Sequence, residues 1–577
     1  MSHWVRDIAL DAFLFLAVGV GMVGAASCDT AGSVADPGGR STLAGTGGGS
    51  AAAALSPSAS PSAAPGLTLP VRRLRRLSNR EYDNVVRDLL GDTSQPARLF
   101  LADSYVNGYD NGSAALAVQS DQVSTYQTAA EALAADVVAK RLSLVLGGCD
   151  VTVQGEPACV DAFLTDFAAR AYRRPLTPSE SQRLRDVFQV GEQLGGQFAD
   201  GVATALEVIL QSPQFLYREE LGADAAAPAA GSAVRLTDYE AASELSFMLT
   251  GSVPDASLWS AVQQGSFQTI ADYQREATRL LGTPAGKSAL RGFLHQWLAT
   301  DELANINKEA TFYPGFTAAL AASMSTELDQ FYDSVLWEGT GSLRELLTSN
   351  KSFVDPTLAQ FYGVPDGIPG FHPVTLDPNL RKGVMSRAGF LTVHSNTDSS
   401  GPVTRGVFVL DALLCAPPPP PPANVPPAPA PGDPSVQNLT TRQRFANHVS
   451  NAVCAGCHTQ IDGIGFGFEE FDGIGAYRTT EHGQPIDSTG TIVGTVEIDG
   501  DYNGLGELAT RIGGSQHLVD CYVRQAYRYA MGQVESDGDS MQALESGFSP
   551  DAPMTAVLLA VLANPVFTKR SYEPSAP

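Results

Sequence analysis

The sequence predicts a mainly α-helical protein, with several helical domains followed by a small helical module near the C-terminal end. Three observations carry this reading. Helix-start signatures recur along the chain, apolar residues between them fall at helical spacing, and strand-like alternation is scarce before residue 484. At 577 residues the chain exceeds what one hydrophobic core usually serves, and a hydrophobic content of 44% is ample for packing.

Residues 1–28 read as a secretory signal. IALDAFLFLAVGVGMVGAAS at 8–27 is apolar, preceded by Arg6 and ended by small residues. Cys28 follows Ala25-Ala26-Ser27, a lipobox-like layout with Ala where Leu is usual. Lipidation of Cys28 is therefore favoured over ordinary cleavage near Ala25. Asp11 inside the apolar run and the single Arg in the head keep an uncleaved anchor as a third outcome. The mature protein is expected to be exported, in the periplasm or cell envelope, and lipid-anchored. Residues 29–66, rich in Gly, Ala, Ser and Pro, read as a disordered tether, because they hold too little apolar surface to offset ordering entropy.

Order begins near Leu67. An N-terminal helical domain at 67–140 contains the capping box Ser78-Asn79-Arg80-Glu81, followed by Tyr82, Val85, Val86, Leu89 and Leu90 in helical step and closed by Gly91. A second helical domain at 141–222 opens a helix at Thr177-Pro178-Ser179-Glu180 and carries the apolar face of Leu206, Ile209 and Leu210. A central helical domain at 232–366 starts with Thr237-Asp238-Tyr239-Glu240 and includes amphipathic stretches at Ala289–Leu298 and Met324–Leu336. A further domain covers 375–415. The sharpest boundary is the linker at 416–434, where Pro417–Pro422 must adopt extended polyproline II because proline fixes φ and donates no hydrogen bond. A rigid spacer is favoured there over a docking site for a proline-binding domain.

Beyond the linker, Cys454-Ala455-Gly456-Cys457-His458 carries a specific chemistry. In C-x-x-C-H two thiols add to the haem vinyl groups and the adjoining imidazole ligates iron. The residues imply one covalent haem c, bound through Cys454 and Cys457, with His458 as proximal iron ligand, in a cytochrome c-like module at 435–500 ahead of a C-terminal helical segment at 501–577. Thr440-Thr441-Arg442-Gln443 caps a helix whose Phe445, Val449 and Val453 lead into the motif. A thioredoxin-type dithiol lacks its βαβ setting here, and no second ligand pair completes a zinc site. The sixth iron position stays open among Met531, Met541, His482, His517 and His394, with Met531 slightly preferred.

With Cys28, Cys454 and Cys457 assigned, Cys149, Cys159, Cys415 and Cys521 remain. They make two pairs: a local one, Cys149–Cys159, around a polar turn, and a long-range one, Cys415–Cys521. Buried free thiols are the alternative. The balance of 37 Lys+Arg against 62 Asp+Glu gives a net charge of −25, which argues against nucleic acid as a partner.

RRLSNREYDNVVRDLLG at 75–91, FAARAYRRPLTPSE at 167–180, RLTDYEAASELSFMLTGSVPD at 235–255 and SFVDPTLAQFYGV at 352–364 resemble secreted multi-domain proteins of planctomycetes and myxobacteria. Those proteins are built from domains of unknown function with a planctomycete-type cytochrome c motif. GVMSRAGFLTVHSNTDSSGPVTRG at 383–406, PPPPPPANVP at 417–426, CAGCHTQIDGIGFGFEEFDGIGAYR at 454–478 and QAYRYAMGQ at 525–533 extend the resemblance in the same order. Two small departures stand out. Asp462-Gly463-Ile464-Gly465-Phe466 replaces the usual Asp-Pro-x-Gly-Phe, and Ser400-Gly401-Pro402 replaces Thr-Ser-Pro. The resemblance implies a cytochrome-like module on helical domains, acting at the cell envelope and sometimes associated with polysaccharide use.

Other candidates are weaker. Asp499-Gly500-Asp501-Tyr502-Asn503-Gly504 matches half an EF-hand loop, but Thr510 stands where the bidentate Glu belongs, so an acidic hairpin turn is favoured over calcium. Arg170, Arg173 and Arg174 form a basic knot, and Asp462, Glu469, Glu470 and Asp472 an acidic run, both expected to be solvated faces; Arg478 is a candidate partner for a haem propionate. No hydrolase motif occurs. Three functions follow: envelope electron transfer with a redox partner protein, a haem enzyme of peroxidase or oxygenase type acting on an extracellular polymer, or a cell-surface binding or assembly protein.

Overall fold

Side-chain caps set where the helices begin. The Glu81 N–H donates to Ser78 Oγ (3.2 Å) and the Ser78 N–H donates to Glu81 (3.0 Å), which opens helix α1 (Asn79–Leu90); Gly91, at φ 66°, closes it. Tyr82, Val85, Val86, Leu89 and Leu90 form its buried face. Helix α2 (Ser120–Lys140) follows, then α3 (Pro178–Gly195) and α4 (Phe198–Gln211), with α4 packed between the other two. The reciprocal cap recurs at Thr177 with Glu180 and at Thr237 with Glu240, where α5 (Asp238–Thr250) begins. Helices α6 (Ile270–Leu281), α7 (Pro284–Trp297) and α8 (Ala318–Asp333) pack in sequence, and α5 lies against both α6 and α7. The C-terminal third contributes α9 (Pro402–Phe408), α10 (Thr441–Ser450), α11 (Ala452–Gly465), α12 (Gly504–Gly513), α13 (Gln516–Met531) and α14 (Met554–Ala563). The fold is mainly α.

The structure is a computed structural model. It describes residues 69–572 apart from 73, 114–115, 117, 223–228, 365–366, 421–430, 451 and 536–538, and only the backbone of 447–450, 452–453 and 539–540. The signal segment, Cys28, the 29–66 tether and most of the proline-rich stretch lie outside the described residues. Among the described residues no helix is long and apolar enough to cross a membrane.

Strands are short: β1 (Leu74–Arg76), β2 (Tyr217–Glu219), β3 (Ala233–Arg235), β4 (Lys351–Val354), β5 (His372–Thr375), β6 (Thr480–Glu481), β7 (Gln484–Pro485), β8 (Thr489–Ile492), β9 (Gly500–Asn503) and β10 (Lys569–Ser571). They form antiparallel pairs, β1 with β2, β3 with β10, β4 with β5, β6 with β7 and β8 with β9. Two of these pairs are long-range in sequence. Arg75 stands opposite Arg218, and Val234 opposite Arg570. One apolar cluster runs from Tyr109 through Phe293, Phe331 and Phe390 to Phe567, so residues far apart in sequence share a core.

Against this core sits a buried cluster of three arginines and three glutamates: Arg75, Arg218, Arg570, Glu81, Glu220 and Glu244, none more than 3% exposed. Glu244 accepts from Arg75 (3.1 Å) and Arg218, Glu81 pairs with Arg218 (3.3 Å), and Glu220 accepts from Arg570. Equal numbers of opposite charges compensate one another where water is absent. Cys149–Cys159 and Cys415–Cys521 are both disulfide-bonded, the second closing a separation of 106 residues. Removing one member of the ion cluster strands the others, so Glu244→Gln is expected to lower stability in urea by about 3–5 kcal/mol. A loss under about 1 kcal/mol would show that the cluster is not what holds β1, β2 and β10 together.

Candidate functional site

Helix α11 carries the C-x-x-C-H motif in its first turns. Cys454, Cys457 and His458 stand at i, i+3 and i+4, which places them on one side of the helix. Both thiols are free of disulfides and half-buried, and Cys457 packs against the main core. His458 is half-buried, with Nδ1 3.0 Å from Oδ1 of Asp462, a buried carboxylate one turn further along. A carboxylate at Nδ1 selects the tautomer with the proton on that nitrogen and the lone pair on Nε2, the form of an imidazole that ligates a metal. The helix before it opens as its sequence predicts: the Thr440 N–H donates to Gln443 Oε1 (2.9 Å) and the Gln443 N–H to Thr440 Oγ1 (3.3 Å).

Small residues hold α11 in place. On one side it crosses α9 so closely that a Cβ on Gly406 would strike the Ile461 carbonyl, and one on Gly465 the Pro402 carbonyl. On the other it lies against the β8–β9 hairpin, where a Cβ on Gly463 would strike the Thr491 carbonyl. The buried Tyr502 hydroxyl, from β9, lies 2.9 Å from Gly463 O and 2.8 Å from Ile464 O, and its proton serves carbonyls that the end of a helix leaves without an intrahelical donor. Both departures from the family pattern have a local reason. Gly463 is where the hairpin backbone approaches, and Gly401, at φ 66°, takes the left-handed conformation that starts α9 at Pro402.

The acidic run is not a solvated face, contrary to the sequence expectation. Asp462 and Glu469 are each 2% exposed. Glu469 accepts from Ser400 Oγ (2.9 and 3.0 Å) and Arg478 (3.2 Å), while burial pushes its carboxyl up. Asp472 accepts from the Ile474 and Ala476 N–H groups. Arg478, the propionate candidate, is engaged by Glu469 and by Glu481 (3.1 Å). Missed in the sequence was Arg405, buried on α9, whose guanidinium donates to the carbonyls of Leu391, Phe468, Phe471 and Asp472 and so ties the segment after α11 to α9. Arg173, from the basic knot, is likewise buried and donates to backbone carbonyls, and Arg174 pairs with Glu180 and Glu219. The EF-hand-like carboxylates are hairpin parts: Asp499 accepts from Gly494 N–H and from Thr495, and Asp501 from Thr491.

The candidate sixth ligands are scattered. Met531 is fully buried at the end of α13, which packs mainly on α14 and on the segments 539–545 and 409–413, whereas α11 packs on α9, α10 and β8. His394 is buried against Phe390 and Phe408 with Nε2 2.9 Å from Leu298 O. His517 Nε2 lies 2.6 Å from Thr495 O, and Met541 is buried. His482 is exposed at the β6–β7 turn, bordering a cleft of about 330 Å³ shared with Tyr313, Asp472 and Arg444. The set Cys454, Cys457 and His458, with a buried carboxylate on the imidazole, fits the donor chemistry of a covalently held haem.

The chain is a helical body that carries its C-x-x-C-H segment on helix α11. Family models match it in four consecutive stretches: PSD3 (DUF1587) at 75–139, PSD5 (DUF1595) at 159–220, PSD4 (DUF1592) at 236–364 and PSCyt3 (DUF1588) at 381–481, each described as a protein of unknown function. The chain is a multi-domain protein carrying these four domains, and the one that contains Cys454–His458 bears the planctomycete-type cytochrome c name. No curated protein and no solved structure gives a match.

Two predictions follow from this geometry. Tyr502→Phe removes the donor to two carbonyls of α11 and is expected to cost about 1–3 kcal/mol of stability, read by urea unfolding; an unchanged midpoint would discount that contact. Burial lowers the His394 pKa to about 4, against the opposing effect of its bond to Leu298 O. Below about pH 6.5 the unfolded chain therefore takes up a proton that the native state refuses, and stability falls as pH drops towards 4. The wild type is expected to lose about 2–3 kcal/mol more than His394→Gln between pH 7 and 4.5. Parallel losses would contradict it.

Proposed function

We propose that the chain is an exported c-type haem protein in which Cys454 and Cys457 hold one haem through thioether bonds and His458 ligates its iron. The observation that carries this reading is the placement of both free thiols and the imidazole on one half-buried side of α11, with Asp462 on Nδ1. When bound, the haem supplies electron transfer if its sixth position is closed, or chemistry on oxygen species if that position is open. Asp462 orients the imidazole through its contact with Nδ1. The glycine contacts with α9 and the β8–β9 hairpin fix the helix that carries the thiols. Envelope electron transfer with a redox partner protein is the favoured role, and Met531 the sixth ligand proposed from sequence. Two disulfides suit an oxidising compartment, in keeping with export and with an anchor at Cys28.

The test is expression in a strain with haem-maturation machinery. Pyridine-haemochrome absorbance that survives denaturation and extraction is expected for the wild type and absent from the Cys454→Ala, Cys457→Ala double variant. Absorbance retained in the variant, or none in the wild type, overturns the assignment. Low-spin spectra support electron transfer. High-spin spectra that shift with peroxide or carbon monoxide replace that role with a haem enzyme. Met531→Ala is expected to remove a methionine-to-iron charge-transfer band, and an unchanged spectrum excludes Met531.

A further inference from the structure

A cleft of about 540 Å³ opens between the start of α1, the loop at 102–110, α7 and the turn at 300–304. Its charged groups are matched with one exception. Arg80 grips Asp110 with two hydrogen bonds (2.8 and 2.9 Å), Asp103 accepts from Arg76 and from the Asn79 N–H, and His295 sits between Thr300 Oγ1 (2.9 Å) and Asp329 (2.8 Å). Asp301 alone has a neutral partner, the Tyr105 hydroxyl at 2.9 Å, and among the described residues it makes no ion pair. Burial pushes its carboxyl above the ordinary range.

The cleft beside Asp301 is roomy, and Ala102, Tyr105, Gly292 and Ala304 give it an apolar strip. Tyr105 is 48% exposed at the lip, next to Ala102, and across the cleft Gly292 leaves bare helix backbone, where an added Cβ would meet nothing within 4 Å. An anion is disfavoured because Arg80 and His295 are already engaged. A bare metal ion is disfavoured too, since hard cations need several oxygen ligands and no group of three or more metal-ligating side chains occurs among the described residues.

We propose that this cleft binds an organic ammonium ion, with its charge on Asp301 and its apolar body between the Tyr105 ring and the α7 backbone at Gly292. The carboxylate supplies the ion pair and the exposed ring an apolar face for the ligand's body. The site is independent of the haem reading and stands or falls without it.

Isothermal titration of the full chain with benzylammonium chloride tests this, with benzyl alcohol as a neutral ligand of the same shape. Benzylammonium is expected to bind saturably at one site, and benzyl alcohol at least about tenfold more weakly. Asp301→Asn should weaken benzylammonium by a similar factor, and Gly292→Leu should abolish binding by filling the cleft. Circular dichroism checks that the variants fold; if Gly292→Leu does not, Tyr105→Ala, at an exposed position, is expected to weaken benzylammonium several-fold. Failure of benzylammonium to bind, equal binding of the two ligands, or unchanged affinity in Asp301→Asn overturns the proposal.

Discussion

Three arginines and three glutamates shut away from water hold together the two ends of the described chain. Arg75 on β1, Arg218 on β2 and Arg570 on β10 converge on Glu81, Glu220 and Glu244, which belong to α1, the stretch after β2, and α5. Each charge alone would carry a desolvation penalty of several kcal/mol, so the arrangement is tolerable only when all six are present and correctly placed. That requirement makes the cluster a specificity device. Any other register of β1 against β2 would leave a buried guanidinium or carboxylate without its partner. The apolar core between Tyr109 and Phe567 completes the packing of the described chain.

The motif helix is positioned by a different principle, the removal of side chains. Gly406, Gly463 and Gly465 let backbone meet backbone on two sides of α11, and Tyr502 closes the end of the helix from below. Contacts of this kind cannot slide without collision, and they bring the thiols and the imidazole to one place on a rigid element. Side chains carried on such an element keep their relative positions.

Polar groups around that helix are turned inward. Arg405 gathers four carbonyls, Glu469 takes Ser400 and Arg478, and Asp462 takes His458. In a region of low dielectric such bonds are strong when complete and costly when broken, so the surroundings of the motif are organised before any cofactor chemistry begins. The same reasoning marks Asp301 as unusual. It is a desolvated carboxylate whose environment stops short of neutralising it.

Local signals were readable in the sequence because their physics is local. A Ser or Thr three residues before Glu or Gln can cap a helix with groups that are near neighbours in the chain, and Ser78, Thr177, Thr237 and Thr440 do so. The even number of cysteines left beside Cys28 and the C-x-x-C-H pair allowed two disulfides, and both are present. What stayed illegible depends on partners far away in the chain. Strands of two to four residues are too short to show alternation, and Asp462 and Glu469 look like a solvated acidic run until Ser400, Arg405 and Arg478 fold over them. Nothing within a few residues of Arg75 or Arg570 reveals the distant glutamates they meet. Burial and charge matching are properties of the assembled chain, and packing settled them where spacing along the chain could not.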